Sequence, residues 1–127
     1  MRAYAEDVTR MAQENEDFRR VLFTTERSQL VLMSIPAGGE IGEEVHEDVD
    51  QVLAFVGGEG EAVIEGAARP VRAGSVVVVP GGVRHNFVAT GGSPLKLYTI
   101  YTPPEHPGGT VHRTKEEADE CELRHGH

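Results

Sequence analysis

The sequence lacks several features that would indicate other classes of protein. Its single cysteine, Cys121, cannot form an intramolecular disulfide, which is typical of a reducing compartment. Basic residues are few, 12 against 21 acidic ones, and the net charge of −9 repels a phosphate backbone, so we expect no nucleic-acid partner. No apolar run approaches the roughly 20 residues of a membrane span, and the N-terminus lacks the apolar core of a signal peptide. We therefore expect a cytoplasmic protein that does not bind membranes.

Tryptophan is also absent, whereas glycine is abundant, with 15 residues, and valine-rich runs indicate β structure. A length of 127 residues fits one domain that can bury a core without disulfide or metal staples. We expect a core barrel over residues of about 19–102, an N-terminal helical arm at 1–18, and an irregular segment with a short helix at 103–127. The single domain then covers residues 1–127.

Short extended segments separated by glycine and proline turns predict most of the secondary structure. The predicted strands are Arg19–Thr24, Ser28–Ile35, Gln51–Val56, Glu61–Glu65, Arg69–Arg72, Ser75–Val79, His85–Ala89 and Leu95–Tyr101. Apolar residues at i, i+3 and i+4 predict a short amphipathic helix at Glu6–Glu14, and Thr114 begins a capping box before a second helix. The valine run at Ser75–Val79 predicts a fully buried strand. The pattern as a whole favours an antiparallel barrel or sandwich.

Potential metal ligands concentrate between Gly38 and Gly58. Glu44 and His46 point to the same face of an extended chain because side chains alternate. If the next four residues form a hairpin loop, Gln51 lies opposite His46, with Cβ atoms roughly 4.5–5.5 Å apart. His85, which follows a turn-rich run, is the candidate for a fourth ligand. The sequence therefore predicts a metal site at Glu44, His46, Gln51 and His85.

The spacing of these residues resembles two motifs of the cupin superfamily. In the first motif a glycine is followed by His-x-His, a glutamate and a second glycine, and here Gly38, Glu44, His46, Gln51 and Gly58 reproduce its spacing. Glu44 replaces a histidine of that motif and Gln51 replaces the glutamate. The second motif is matched by Gly74, Pro80, Gly82 and His85, with Ala89 at the place of its final asparagine.

The resemblance implies a single cupin barrel, that is, a double-stranded β-helix or jelly roll, with short helices at its ends. It implies a divalent transition metal, Fe, Mn, Ni or Zn, held by the four residues named above. The segment after Tyr101 is similar to that of a small bacterial subgroup described as mannose-6-phosphate isomerase-like. Members of the superfamily are commonly dimers, so we expect a homodimer, with the N-terminal arm covering a sheet edge.

Several residues keep two interpretations at this stage. Gln51 is either a ligand or a hydrogen-bond partner of Glu44 or the backbone, and Glu43 is a rival carboxylate on the opposite face. His106 and His112 either cover the mouth of the barrel or serve a loop or an interface. Strand alternation allows only one of two tyrosines into the interior. These two tyrosines are Tyr98 and Tyr101. Asp48 and Asp50 are expected to cap backbone amides in the hairpin loop, and His125 and His127 are expected to lie in a solvated tail.

Three functions are compatible with these patterns. The first is a metal-dependent enzyme acting on a small molecule, either an oxygenase or a sugar isomerase-like enzyme. The second is a noncatalytic module that binds a small molecule or sugar around a structural metal. The third is a structural or storage-type cupin without a metal. Apart from Glu44, no side chain stands out as a catalytic acid or base, so the reaction cannot be named from the sequence.

Overall fold

Two antiparallel β-sheets form the body of the protein in a computed structural model, which describes residues 2–124. The larger sheet has the strand order β6-β3-β8-β2-β1-β9 and the smaller has the order β5-β4-β7. This arrangement confirms the predicted all-β jelly roll with a short helix near each end. The predicted tail residues His125 and His127 lie outside the described residues. The elements are α1 (Val8–Glu14), β1 (Arg19–Thr24), β2 (Gln29–Ile35), β3 (Asp50–Gly57), β4 (Glu59–Ile64), β5 (Ala67–Arg72), β6 (Val76–Val79), β7 (His85–Ala89), β8 (Leu95–Thr102), β9 (Val111–His112) and α2 (Lys115–Arg124).

The hydrophobic core lies between the two sheets and is filled by every second residue of the facing strands. On β8 the inward side chains are buried and the intervening ones are partly exposed, as the alternation of a strand requires. Phe55 of β3 and Phe87 of β7 meet across the core, with ring centroids 5.8 Å apart. Truncating such a buried phenylalanine to alanine typically costs about 3–5 kcal/mol, so this contact holds the two sheets together.

The N-terminal arm packs on the outer face of the larger sheet, against β2, β3 and β8. Helix α1 begins after Asp7, whose side chain accepts a hydrogen bond from the Arg10 amide at 3.2 Å. Leu32 points away from the core along β2 but is only 2% exposed, because the outer face of that strand is covered. Within this single chain the arm therefore covers a sheet face rather than a sheet edge.

The segment after β8 is more ordered than its prolines predict. Val111 and His112 form β9, which pairs with the start of β1, so the prediction of an entirely irregular segment is wrong at this point. The predicted capping box is present, but the carboxylate of Glu117 accepts from the amide of Arg113 and not from that of Thr114. The Thr114 hydroxyl accepts from the Glu117 amide at 3.1 Å, and the Glu117 carboxylate accepts from the Arg113 amide at 3.3 Å.

The predicted hairpin around residues 47–50 is wrong. Glu44 pairs with His85 beside the smaller sheet, whereas Gln51 pairs with Val79 and Tyr101 in the larger sheet. The loop at 47–50 therefore crosses from one sheet to the other, as connections in a jelly roll do. Glu44 therefore meets His85 by pairing with a distant segment of the chain, whereas Gln51 belongs to the other sheet and is not a hairpin neighbour of His46.

The prediction of a fully buried strand at Ser75–Val79 is also wrong. Strand β6 covers Val76–Val79, and Val76 and Val78 are each 62% exposed. β6 is the outer strand of the larger sheet, and these two side chains lie on the sheet's outer face beyond the cover of α1. Only its inward residues, Val77 and Val79, contribute to the core.

Candidate metal centre

The backbone brings Glu44 and His85 together directly. The Glu44 amide donates to the His85 carbonyl at 2.9 Å, and the His85 amide donates to the Glu44 carbonyl at 3.0 Å. Residues paired in this way place their side chains on the same face. His46 follows two residues after Glu44, and its carbonyl accepts from the Gly82 amide at 2.9 Å. The turn that precedes His85 therefore also fixes the segment that carries His46.

Three predicted ligands form a compact cluster in the interior. One ligand atom from each of Glu44, His46 and His85 lies within 4.8 Å of the others. The imidazole rings of His46 and His85 are 5.4 Å apart between centroids, and His85 is only 3% exposed. One carboxylate and two imidazoles at this separation are a potential three-residue site for a transition metal.

On both imidazoles a polar group lies close to Nδ1, whereas Nε2 forms no hydrogen bond within the described part of the chain. Nδ1 of His85 lies 2.9 Å from the Val83 carbonyl, and Nδ1 of His46 lies 3.4 Å from the Glu105 carboxylate. Nε2 of each ring is buried and, among residues 2–124, forms no hydrogen bond, although that of His46 lies 3.7 Å from the Glu44 carboxylate. A histidine whose Nδ1–H is held by a carbonyl or carboxylate presents its Nε2 lone pair to a metal. The residues present therefore fit a metal ion.

Gln51 is buried nearby on the inward face of β3. Its Nε2 donates to the Thr99 hydroxyl at 3.1 Å, and that hydroxyl donates to the Val52 carbonyl at 2.9 Å. The amide oxygen Oε1 has no hydrogen-bond partner. An unpartnered buried oxygen costs free energy unless another group satisfies it. Ligation by Gln51 stays a prediction, since its hydrogen bond to Thr99 alone would also hold the side chain.

Glu105 is a functional candidate that the sequence did not reveal. It lies in the loop after β8, which is fastened by the buried side chain of Gln29. The Gln29 amide oxygen accepts from the backbone amides of Glu105 at 3.2 Å and His106 at 3.0 Å, and its Nε2 donates to the His106 carbonyl at 2.6 Å. The sequence signal for this contact is a glutamine, Gln29, at the start of the mostly apolar strand β2. Gln29 thus fixes the position of a second carboxylate beside His46.

The two carboxylates control the protonation of His46. The Glu105 carboxylate, first, which accepts from the imidazole, and the nearby Glu44 carboxylate raise the pKa of His46 to about 10 in the metal-free protein. Burial alone would raise the pKa of the Glu44 carboxyl, but His46, Arg19 and His85 together lower it. At neutral pH the metal-free His46 therefore holds a proton that a metal must displace. Because the pKa is raised, this competition is present below about pH 10 and weakens as pH approaches that value.

A cavity of about 400 Å³ opens beside the cluster. Tyr101, only 2% exposed, is the inward member of the tyrosine pair, and burial raises its pKa, so its hydroxyl stays protonated. Both His106 and His112 line the cavity, which places them at the mouth of the barrel. The lining residues are Arg19, Glu44, Val45, His46, Glu105, His106, Pro107, Thr110, His112, Cys121 and Glu122.

The remaining predicted polar residues lie outside the cluster. Glu43 forms an ion pair of 2.7 Å with Arg84, and both side chains are more than half exposed. The rival carboxylate therefore faces solvent, as strand parity predicts. Asp50 accepts from the Gly81 amide at 2.9 Å, which confirms its predicted capping role.

We expect the variant Glu105→Gln to change the proton balance of metal binding. At pH 8 zinc binding to the wild-type protein releases close to one proton from His46, because its pKa is about 10. The variant loses the largest cause of that raised pKa and releases clearly fewer protons. Calorimetric zinc titrations in buffers of different ionisation enthalpy measure the release. Glu122→Gln, which changes another carboxylate of the cavity, is the control. Equal release from all three proteins contradicts the assigned contact between Glu105 and His46.

The jelly roll and its buried His/Glu cluster define the class of protein. The Cupin domain family matches residues 31–101, more than half of the chain, and the chain belongs to that family. It is 42% identical over 118 residues to the uncharacterized protein YrkC of Bacillus subtilis, covering 88% of this chain and 63% of YrkC. The chain therefore spans less than two thirds of that relative's length.

Solved structures agree with this assignment. The crystal structure of BH2720 from Bacillus halodurans is similar with a TM-score of 0.92 and 38% identity, covering 94% of this chain and 95% of that one. A double-stranded β-helix protein from Klebsiella pneumoniae shares the fold alone, with a TM-score of 0.67, 20% identity and coverage of 90% and 99%. These likenesses establish the superfamily, and the mannose-6-phosphate isomerase-like subgroup stays a prediction. Within residues 2–124, no helix combines the length and apolar character needed to cross a membrane.

Proposed function

We propose that this cupin holds one divalent transition metal through Glu44, His46 and His85, with the Gln51 amide oxygen as a fourth ligand, and acts on a small molecule. The observation that carries the proposal is a set of buried ligand atoms that form no hydrogen bond within residues 2–124, namely Nε2 of both histidines and Oε1 of Gln51. Two imidazoles and one carboxylate are the donor set of sites that leave metal positions open. We further propose that the protein works in the cytoplasm, as its single cysteine indicates.

A bound metal of this kind supplies an electrophile that polarises an oxygen atom of the ligand. The chain's own residues would do the rest. Glu105 holds the proton on Nδ1 of His46 and so orients that ring. The rings of Tyr101 and His46 are nearly perpendicular, with centroids 6.1 Å apart, and the Tyr101 hydroxyl stays protonated because burial raises its pKa. These features favour an enzyme, an oxygenase or a sugar isomerase-like one, over a noncatalytic module with a structural metal.

Metal analysis of protein purified from its native host without a polyhistidine tag tests the proposal. We expect close to one Fe, Mn, Ni or Zn ion per chain. Oxygen uptake with diols, phenols and thiols would identify an oxygenase, and aldose–ketose interconversion would identify an isomerase. Metal binding with no turnover in either assay favours the noncatalytic module. Protein that takes up none of the four metals when each is offered contradicts the proposal.

We also propose that two copies of the chain associate through β6 and the part of the outer face of β3 and β8 that α1 leaves uncovered. The strand register places six side chains of low polarity in two rows across these strands, and the two valines of β6 are each 62% exposed. Exposed apolar side chains grouped in this way mark interaction surfaces. Light scattering tests the homodimer, and a mass of 13.8 kDa, that of one chain, contradicts it. The rows are Val78, Val52 and Ile100, and Val76, Ala54 and Tyr98.

A further inference from the structure

Arg19, the first residue of β1, is a buried cation with too few partners. It is 3% exposed, its Nε has no hydrogen bond, and among residues 2–124 it forms no ion pair with a carboxylate. Its nearest contacts are uncharged, and they include the buried hydroxyl of Tyr101, which Arg19 approaches as a hydrogen-bond donor. Nη1 lies 3.3 Å from Nδ1 of His112, and the guanidinium lies 5.4 Å from the centre of the Phe18 ring. A buried charge without a counterion is strongly destabilising, so this position calls for an anion.

Arg19 lines the same cavity as the proposed metal ligands Glu44 and His46. It is close enough to lower the pKa of the Glu44 carboxyl, although that carboxylate forms no ion pair with it. If Glu44 binds the metal, its negative charge is shared with the metal. Arg19 then keeps an uncompensated positive charge at the cavity wall, within reach of anything that occupies the 400 Å³ space.

His112 contributes a donor to the same wall. Burial, first, and the charge of Arg19 lower the pKa of His112, so its imidazole is neutral. Because Arg19 donates to Nδ1, that nitrogen is the acceptor and the proton of the ring lies on Nε2. The guanidinium and this N–H together form a pair of donors suited to an oxyanion.

We propose that the cavity binds the carboxylate of a small organic acid on Arg19 and His112, with the rest of that ligand directed toward Glu44, His46 and His85. The orientation of the ligand toward Glu44, His46 and His85 rests on the proposed metal function, whereas the contact of its carboxylate with Arg19 and His112 does not. The proposal names the substrate class for the site: a monocarboxylate small enough for a cavity of about 400 Å³.

The charges in the cavity favour a carboxylate over a phosphate. A divalent metal and Arg19 supply three positive charges, and the two half-buried carboxylates, Glu44 and Glu105, supply two negative ones. About one positive charge therefore remains in the inner part of the cavity, because solvent screens the third carboxylate, the exposed Glu122. A monocarboxylate neutralises this charge, whereas a phosphate dianion leaves excess negative charge. Glu122, although screened, adds to the repulsion of a dianion.

Calorimetric titration and thermal unfolding of the zinc-loaded protein with acetate, glycolate, acetamide and inorganic phosphate test this proposal. We expect both carboxylates to bind and raise the melting temperature, and the uncharged acetamide and phosphate to bind at least about tenfold more weakly. Arg19→Met should weaken carboxylate binding about tenfold or more. Arg19→Lys keeps the charge but loses the planar guanidinium, so its carboxylate affinity should lie between those of the wild type and Arg19→Met. The control is Arg20→Met, since that side chain is 52% exposed and pairs with Asp17 outside the cavity.

Zinc content and circular dichroism of each variant separate the two proposals. If zinc does not bind but metal-free protein still binds acetate in an Arg19-dependent way, the metal proposal fails and the carboxylate site stands. If zinc binds at one per chain and acetate affinity is the same with Arg19 and Met at this position, the carboxylate site is refuted. It is equally refuted if neither carboxylate binds or if phosphate binds more tightly. If Arg19→Met does not fold, the comparison of Arg19→Lys with the wild type decides.

Discussion

Glu44→Ala is expected to abolish stoichiometric metal binding, whereas Glu43→Ala leaves it unchanged. The two residues are adjacent, have the same chemistry, and differ in the face of the chain they occupy. Glu44 lies in the buried cluster with His46 and His85, and Glu43 pairs with Arg84 at the surface. Changing a residue that hydrogen-bonds a metal ligand typically costs about 10–100-fold in metal affinity, so loss of a ligand that also supplies the charge should cost more than about 100-fold.

Competition with a chelator of known zinc affinity measures this difference, and elemental analysis gives the stoichiometry. Circular dichroism checks that both variants are folded. Glu44→Gln separates charge from shape, because the amide keeps an oxygen donor but removes the negative charge. We expect its affinity to lie between those of the wild type and Glu44→Ala. Equal zinc affinity in Glu43→Ala and Glu44→Ala would remove Glu44 from the ligand set.

The different positions of Glu43 and Glu44 show how much of the candidate site can be predicted from sequence alone. Strand parity and motif spacing predict Glu44, His46 and His85, because glycine and proline turns fix where each short strand begins. The hairpin prediction failed because the partner of a strand is chosen by tertiary packing. Glu44 pairs with His85, from a distant turn, and Gln51 with β6 and β8. The sequence therefore identified three members of the cluster but gave the wrong geometric reason for their convergence.

Glu105 and Arg19 could not be predicted in the same way. Glu105 belongs to a proline-rich loop without periodicity, and its position depends on backbone hydrogen bonds that the loop donates to the distant Gln29. Arg19 carried a weaker signal, since it is in phase with the buried Val21 along β1. An arginine on the apolar face of a strand marks either a strand end or a functional cation. Only the fold shows that it lines the cavity.

The exposure of β6 has a similar explanation. A run of four valines is compatible with burial on both faces, and Val77 and Val79 do lie in or against the core. Local sequence does not state which strand is outermost in a sheet. Because β6 is the outermost strand at one side of the larger sheet, and α1 packs on β2, β3 and β8, Val76 and Val78 reach solvent. Strand order, a property of the whole chain, decides their environment.

Gly58→Ala is expected to destabilise the domain by several kcal/mol, with a much smaller effect from Gly66→Ala. Both glycines have positive φ, 78° and 83°, so alanine at either position carries a strain of about 1–2 kcal/mol. A Cβ at Gly58 would lie 2.3 Å from the Pro94 carbonyl oxygen and 2.9 Å from Leu95 Cα, whereas a Cβ at Gly66 meets nothing within 4 Å. Backbone must therefore move at Gly58, which adds a further cost of about 1–3 kcal/mol.

Urea unfolding followed by far-ultraviolet circular dichroism gives the two free energies of unfolding. Gly58 closes the turn between β3 and β4 against the start of β8, the strand that carries Tyr101 toward the cluster of Glu44, His46 and His85. Its place in the spacing pattern is thus explained by packing of three strands and needs no contact with a metal. We therefore expect the folded fraction of Gly58→Ala to bind zinc still at one ion per chain. Equal destabilisation by the two alanines would show that φ strain, and not the contact with Pro94, requires glycine at this position.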